Sequence, residues 1–121
     1  MFWDIDERFD VEHQVVRALW FEIARGAWSP GDAAPSPHDL AEARILNPHV
    51  VESAYAKLAE AELLVPHPGG DYQIAADAVR LARARLLEWA AEEVRNLIIA
   101  LRRAGLSGDD VERIFREARD V

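Results

Sequence analysis

The stretch that most constrains the fold is residues 47–64. Its apolar side chains recur at steps of three and four residues, as on one face of a helix: Val51, Ala54, Tyr55, Leu58 and Ala61. The polar side chains fall on the opposite face: His49, Glu52, Ser53, Lys57 and Glu60. Asn47 is a suitable N-cap, and Pro48 stands at the first helical position, where no N–H is needed. The pattern predicts a helix with one buried side and one side free to read a partner.

A second short helix is predicted immediately upstream. Ser36 can cap it and Pro37 can begin it, with Leu40 and Ala43 on its apolar side. Only residues 45 and 46 connect it to the next helix. Two short helices joined by so tight a connection are typical of a helix-turn-helix.

Two apolar runs, residues 63–65 and 72–74, follow the second of these helices. The segment between them, residues 66–71, is rich in Pro and Gly and includes Gly69 and Gly70 at its tip. The pattern predicts a two-stranded hairpin, which would form a wing beside the helix-turn-helix.

The first helix is predicted from a cap at Asp10 to about Arg25, with Gly26 ending it. Its core stripe is Val11, Val15, Ala18, Leu19 and Ile23, and Trp20 and Phe21 lie beside that stripe. Residues 1–9 alternate apolar side chains (Phe2, Trp3, Ile5 and Phe9) with acids. The alternation predicts an extended arm that packs its aromatic rings on the first helix; an arm that binds a partner is the alternative.

A long helix is predicted from about Ala75 to Ala104, and a final helix is predicted to begin at Ser107 or Asp109 after Gly105. The apolar stripe of the long helix is too wide for one small domain to cover, so we expect a homodimer. The predicted dimer-interface residues are Leu86, Trp89, Val94, Leu97, Ile98, Leu101, Ile114 and Phe115.

These pieces occur together in a recognisable order and spacing. The motifs are Gln14-Val15-Val16, Ile23-Ala24-Arg25-Gly26, Ser29-Pro30-Gly31-Asp32, Pro35-Ser36, Leu40-Ala41, Asn47-Pro48, Val51, Ala54-Tyr55, Leu58, Leu63-Leu64 and Gly69. Over roughly residues 10 to 75 the chain resembles the winged-helix domain of the GntR family of bacterial transcription regulators, and its short YtrA subfamily in particular. The run from Ala104 to Ser107 is similar to the end of a YtrA-type chain.

The resemblance implies a mainly α (α+β) fold. Residues 1–76 would form a winged helix-turn-helix domain with a two-strand wing and the arm 1–9, and residues 77–121 a two-helix dimerisation segment. It also implies a DNA-binding transcriptional regulator, a dimeric repressor of a neighbouring operon such as one encoding a transporter. The dimer would place two reading helices in successive major grooves of double-stranded operator DNA. The candidate DNA-binding residues are Ser36, His38, Arg44, His49, Ser53, Lys57 and His67.

The charge distribution supports a second hypothesis. Residues 1–76 hold 13 Asp and Glu against five Lys and Arg, whereas residues 77–121 hold nine of each. Basic positions of the family are occupied here by His38, Ser53 and His67. DNA binding draws much of its affinity from cations, and a net-negative surface slows approach to a polyanion. The alternative is a degenerate winged helix that has lost DNA binding and binds a protein partner through its acidic face.

The four histidines, His13, His38, His49 and His67, all lie in this acidic half. They can be solvated polar residues, a surface that gains charge near pH 6 to 7, or metal ligands, although no His-x-x-x-His spacing favours a metal site. The chain has no cysteine, no phosphate-binding glycine loop and no recognisable catalytic set. We therefore expect neither an enzyme nor a cofactor or metal. Acids near the first residue and the absence of a long apolar run lead us to expect a cytoplasmic protein without membrane contact.

Overall fold

Five helices and two strands make up the fold. The computed structural model describes residues 3–68 and 71–121. Its elements are α1 (Val11–Ala24), α2 (Pro37–Arg44), α3 (Pro48–Glu60), β1 (Leu64–Pro66), β2 (Tyr72–Ile74), α4 (Ala78–Arg103) and α5 (Gly108–Arg119). The chain divides into two compact units, Met1–Arg85 and Leu86–Val121. The division into domains at residues 76 and 77 stays a prediction.

The helix starts in the first unit follow the capping signals in the sequence. The side chain of Asp10 accepts a hydrogen bond at the start of α1, and those of Ser36 and Asn47 do so for α2 and α3. Pro37 and Pro48 occupy the first helical positions. Each cap satisfies a backbone N–H that has no partner within its helix, so the predicted starts are confirmed.

The core of the first unit lies where α1 and α2 pack on α3. The largest fully buried side chains come from α1, α3 and the wing: Val15, Leu19, Ile23, Val51, Tyr55, Leu58, Leu63, Leu64 and Ile74. Four of the five predicted core residues of α1 are buried, whereas Val11 in its first turn is half-buried. Trp20 and Phe21 are half-buried as well. The helical period therefore identified the packed faces of α1 and α3 correctly.

One expectation for α2 is wrong. Ala43 is exposed, and Ala41 is buried in its place beside Leu40. The helix rests on α3 along the side that carries Leu40 and Ala41, which leaves Ala43 facing solvent. In a helix of eight residues, so few apolar positions leave the direction of the packed face undetermined by period alone.

The wing is an antiparallel pair in which Leu64 faces Ile74 and Pro66 faces Tyr72. A preceding segment joins its edge: the Ala34 N–H donates to the Tyr72 carbonyl at 2.9 Å, and Ala33 bridges Gln73. The predicted wing-tip residues Gly69 and Gly70 lie outside the described residues.

The arm is not an extended strand, as the alternation predicted, but a series of turns along α1. The side-chain amide of Gln14 makes two hydrogen bonds to the backbone of Asp6 in the arm. The Asp6 N–H donates to Oε1, and Nε2 donates to the Asp6 carbonyl, each at 2.8 Å. Phe9 was expected to pack on α1, but its side chain is 67% exposed. The Phe9 N–H donates to the Asp6 carbonyl, and the turn that this bond closes directs the Phe9 side chain outward. Phe2, the first aromatic residue of the predicted arm, lies outside the described residues.

The second unit contains the later part of α4 and all of α5. Gly105, at φ 96°, ends α4, and Ser107 caps α5 through reciprocal hydrogen bonds with Asp110. Val111 is the buried apolar residue of α5.

α4 begins three residues later than predicted, at Ala78 and not Ala75, because residues 76 and 77 form a turn. In the part of the chain that the structure describes, no helix is both long and apolar enough to cross a lipid bilayer.

Candidate nucleic-acid interface

The polar side of α3 faces solvent, as the sequence predicts. Its exposed residues are His49, Glu52, Ser53, Ala56, Lys57 and Glu60. The connection from α2 turns at Ile45, which adopts the left-handed conformation at φ 57° and lets α3 begin after Asn47. This helix-turn-helix presents α3 in the manner of a recognition helix, which inserts its exposed side into the major groove of DNA.

Lys57 does not stand free on that side. Its Nζ lies 2.6 Å from Oε2 of Glu12, a residue of the first turn of α1. The bond from Lys57, together with the nearby Ser53 hydroxyl, holds the pKa of the Glu12 carboxyl below its usual value. The bond to Glu12, with the nearby charges of Asp10 and Glu60, raises the pKa of Lys57. Two candidate DNA-binding residues therefore lie beside one acidic side chain.

Arg44, at the end of α2, contacts the arm. Its guanidinium carbon lies 4.7 Å from the centre of the Trp3 ring, the geometry of a cation–π contact. The Trp3 indole N–H in turn donates to Oε1 of Glu22 at 3.2 Å. Glu22 is a buried acid whose other oxygen accepts from Arg25 at 2.9 Å, so the arm is held by a partner within the core. A second candidate cation thus has a contact within its own domain.

The remaining candidates are distributed over α3, the start of α2 and the wing. The imidazole Nδ1 of His49 is 3.4 Å from a Glu52 carboxylate oxygen on the next turn of α3. His38 is exposed on α2, and the Ser36 hydroxyl accepts from the Asp39 N–H as the cap of that helix. His67 is half-buried in the wing, where its backbone N–H donates to the Asp71 carbonyl at 3.1 Å.

Glu12 and Glu22 also belong to this region, although they are not among the residues predicted from the sequence. Glu12 is separated from Lys57 by 45 positions, and Glu22 from Trp3 by 19. Glu12 had one local signal, its place in the first turn of α1, where an acid favours the helix dipole. No local pattern pairs it with Lys57, because that contact depends on how α1 crosses α3.

The four histidines do not form a metal site with other residues. Within residues 3–68 and 71–121, no group of three His, Cys, Asp or Glu side chains is placed to hold a metal ion.

The second unit carries exposed apolar side chains. The large ones are Leu87, Trp89, Val94, Leu97, Ile99 and Ile114. Four of the eight predicted dimer-interface residues belong to this set, and the other four, Leu86, Ile98, Leu101 and Phe115, are half-buried. Leu87, which is not among the predicted residues, lies two turns before Val94 on the same side of α4. Ile99 falls among charged residues away from the predicted stripe.

Solved structures of known proteins share this fold along almost the whole chain. A GntR family transcriptional regulator from Listeria monocytogenes has a TM-score of 0.79 and 25% identity, covering 97% of this chain and 99% of its own. A transcriptional regulator from Oenococcus oeni has a TM-score of 0.75 and 23% identity, covering 94% of each chain. YtrA from Sulfolobus acidocaldarius, a GntR-family transcription factor, has a TM-score of 0.53 and 23% identity, covering 98% of this chain and 96% of its own.

No family model matches the chain, and no curated protein does. The predicted resemblance to GntR-family regulators and the predicted winged-helix fold are confirmed by the solved structures.

Proposed function

We propose that this chain, which has the fold of the GntR-family transcriptional regulators, is a DNA-binding transcriptional regulator. In this proposal it acts in the bacterial cytoplasm as a homodimer and represses a neighbouring operon, such as one encoding a transporter. The exposed polar side of α3, presented by the helix-turn-helix, is the observation that carries the proposal.

The reading residues in this proposal are His49, Ser53 and Lys57, which are exposed on α3 and would contact base edges or phosphates. Ser36, the N-cap of α2, and Arg44, the last residue of that helix, would contact the DNA backbone, since a helix N-terminus and an arginine both favour phosphate. In this proposal His38 on α2 and His67 in the wing would add further contacts to the DNA.

The homodimer in this proposal is formed by the second unit. The exposed apolar side chains of α4 and α5 are more than a small unit leaves in water without a partner surface. A two-fold dimer would set two α3 helices about one helical turn of DNA apart, which predicts a palindromic operator.

The scarcity of cations predicts an unusual binding profile. Few phosphate contacts give a shallow dependence of affinity on salt, and most of the discrimination then comes from bases. We expect a small salt slope and weak binding to unrelated DNA.

Fluorescence anisotropy with two labelled duplexes of equal length tests the proposal. One duplex carries the region upstream of the chain's own gene, and the other carries the same bases in scrambled order. We expect preferential binding to the first, and a loss of about fivefold or more for His49→Ala, equivalent to roughly 1 kcal/mol of base discrimination.

His13→Ala is the matched control, because His13 is also exposed but lies on α1 outside the helix-turn-helix. It should bind the upstream duplex like the unaltered protein. If neither duplex is bound at low salt, at pH 6 or at pH 8, the DNA-binding proposal is wrong for that region.

A second candidate is supported by the acidic balance of residues 1–76, with 13 acids against five Lys and Arg. In this candidate the winged helix binds a basic protein and not DNA, because its negative surface attracts cations. An affinity for a lysine-rich peptide that persists when DNA binding is absent, and that weakens with salt, would favour it.

A further inference from the structure

Glu12 is an acid placed against the DNA-reading helix. Its Oε2 lies 2.6 Å from the Nζ of Lys57. Ser53 stands one turn before Lys57 on the same side of α3, and its side chain helps to lower the pKa of the Glu12 carboxyl. Lys57 is the chain's sole lysine and the only Lys or Arg on α3. The packing of α1 on α3 brings the carboxylate to these two side chains.

The pair is open to solvent and therefore exchangeable. About half of the Lys57 side chain and a quarter of the Glu12 side chain are exposed, at 52% and 26%. Exposed ion pairs are weak, so an incoming phosphate can compete with the carboxylate for the ammonium group. This exchange costs free energy, because a phosphate that binds Lys57 leaves the Glu12 carboxylate without its partner beside a polyanion.

We propose that Glu12 determines specificity by holding Lys57 against α1, so that this lysine does not serve non-specific phosphate binding. A duplex with the correct base edges supplies enough contacts to displace the carboxylate, whereas an unrelated duplex does not. This inference rests on the proposed DNA-binding function. Glu12, an acidic residue of α1, then controls how strongly the protein binds unrelated DNA.

The physical consequence is a change in counterion release. A lysine that already has a carboxylate partner exchanges one anion for another and releases little salt from the DNA. A freed lysine adds one phosphate contact, which steepens the slope of log affinity against log salt by about 0.9. Over a fourfold change in salt, that slope corresponds to a change of about 3.5-fold in affinity.

The test is Glu12→Gln, measured by anisotropy on a scrambled, mixed-sequence duplex between about 50 and 200 mM salt. We expect tighter binding than for the unaltered protein at low salt, with the advantage shrinking about 3.5-fold per protomer contact across this range. Affinity for a specific duplex should rise less, so the ratio of specific to non-specific affinity falls.

Glu52→Gln is the matched control. It removes the same charge from α3 itself, but Glu52 pairs with His49 and not with Lys57. Any gain in this variant measures the general effect of one fewer negative charge near DNA. If Glu12 restrains Lys57, Glu12→Gln must raise the non-specific affinity and steepen the salt slope more than Glu52→Gln does.

Lys57→Gln completes a double-mutant cycle with Glu12→Gln. In the unaltered background we expect Lys57→Gln to change non-specific affinity less than twofold. In the Glu12→Gln background it should remove the whole gain. If Glu12→Gln and Glu52→Gln are indistinguishable, or if the gain survives the loss of Lys57, the inference is overturned while the proposed function stands. If no variant binds any duplex at low salt, both are overturned together.

Discussion

Tyr55 is the residue on which several elements of the first unit meet. It is fully buried on α3, and its hydroxyl donates to the Pro35 carbonyl, just before α2, at 2.8 Å. Its ring meets those of Trp28 and Tyr72 edge to face, with centres 6.2 Å and 6.1 Å away. Burial raises the pKa of the Tyr55 hydroxyl, which keeps it a donor at any physiological pH. One side chain thus joins α3, the α2 connection and the wing.

Tyr55→Phe should lower the free energy of unfolding by about 1 kcal/mol, because the Pro35 carbonyl loses its donor while the ring packing stays. Urea denaturation measures the change as a lower midpoint with an unaltered m-value. Tyr72→Phe is the control, since in the described residues the Tyr72 hydroxyl makes no hydrogen bond. An equal loss in both variants would contradict the role of the Tyr55 hydroxyl.

Ile45 is strained in the turn between α2 and α3. It has φ 57°, a region that β-branched residues avoid, and its side chain is 93% exposed, so packing does not offset the strain. Ile45→Asn should stabilise the protein by about 1 kcal/mol, because Asn adopts this conformation readily. Ile45→Val keeps the branch and should give no gain. Thermal unfolding of Ile45→Asn and Ile45→Val measures the difference. Equal melting temperatures for the two variants would contradict backbone strain at Ile45.

At the scale of elements, the start of α5 depends on its capping box. The Ser107 hydroxyl accepts from the Asp110 N–H, and the Asp110 carboxylate accepts from the Ser107 N–H. The bonds from the Ser107 backbone and side chain lower the pKa of Asp110. A lowered pKa in the folded state stabilises the helix fully above the unfolded value of about 4, and this stabilisation is lost as pH falls through the folded value.

We therefore expect the first turn of α5 to lose amide protection as pH falls from about 5 to 3. Hydrogen exchange followed by NMR at residues 108–111 measures it. Asp110→Asn should weaken protection at pH 7 and abolish this pH dependence. Asp109→Asn removes a carboxylate from the same turn without touching the bond to Ser107, so it should keep the dependence. A flat profile in the unaltered protein would contradict the capping role.

At the scale of the whole molecule, the exposed apolar stripe of the second unit decides the assembly that we propose. Leu97→Asp should convert a dimer to a monomer, because a charge at the centre of an apolar interface would be buried without a partner. Light scattering after size-exclusion chromatography gives the mass. Ile99→Asp, on the charged side of the same helix, is the control and should remain dimeric. A dimer in both variants would place the interface elsewhere.

Much of the fold could be predicted because its signals are local. Caps at Asp10, Ser36, Asn47 and Ser107 mark four helix starts, and the period of α3 identified its buried side. The errors fall where signals were short or absent. Ala43 lies in a helix of eight residues, and the arm is held by single side-chain contacts and not by a ladder of backbone bonds.

By itself, the sequence determined the order of the elements, their capped starts and the polar face of α3, because each depends on residues a few positions apart. Only the tertiary structure decided the partners of the polar groups on that face. Glu12 meets Lys57 because α1 crosses α3, and Trp3 covers Arg44 because Glu22 holds the arm. These contacts form because the buried faces of the helices pack together, so no spacing of residues along the chain predicts them.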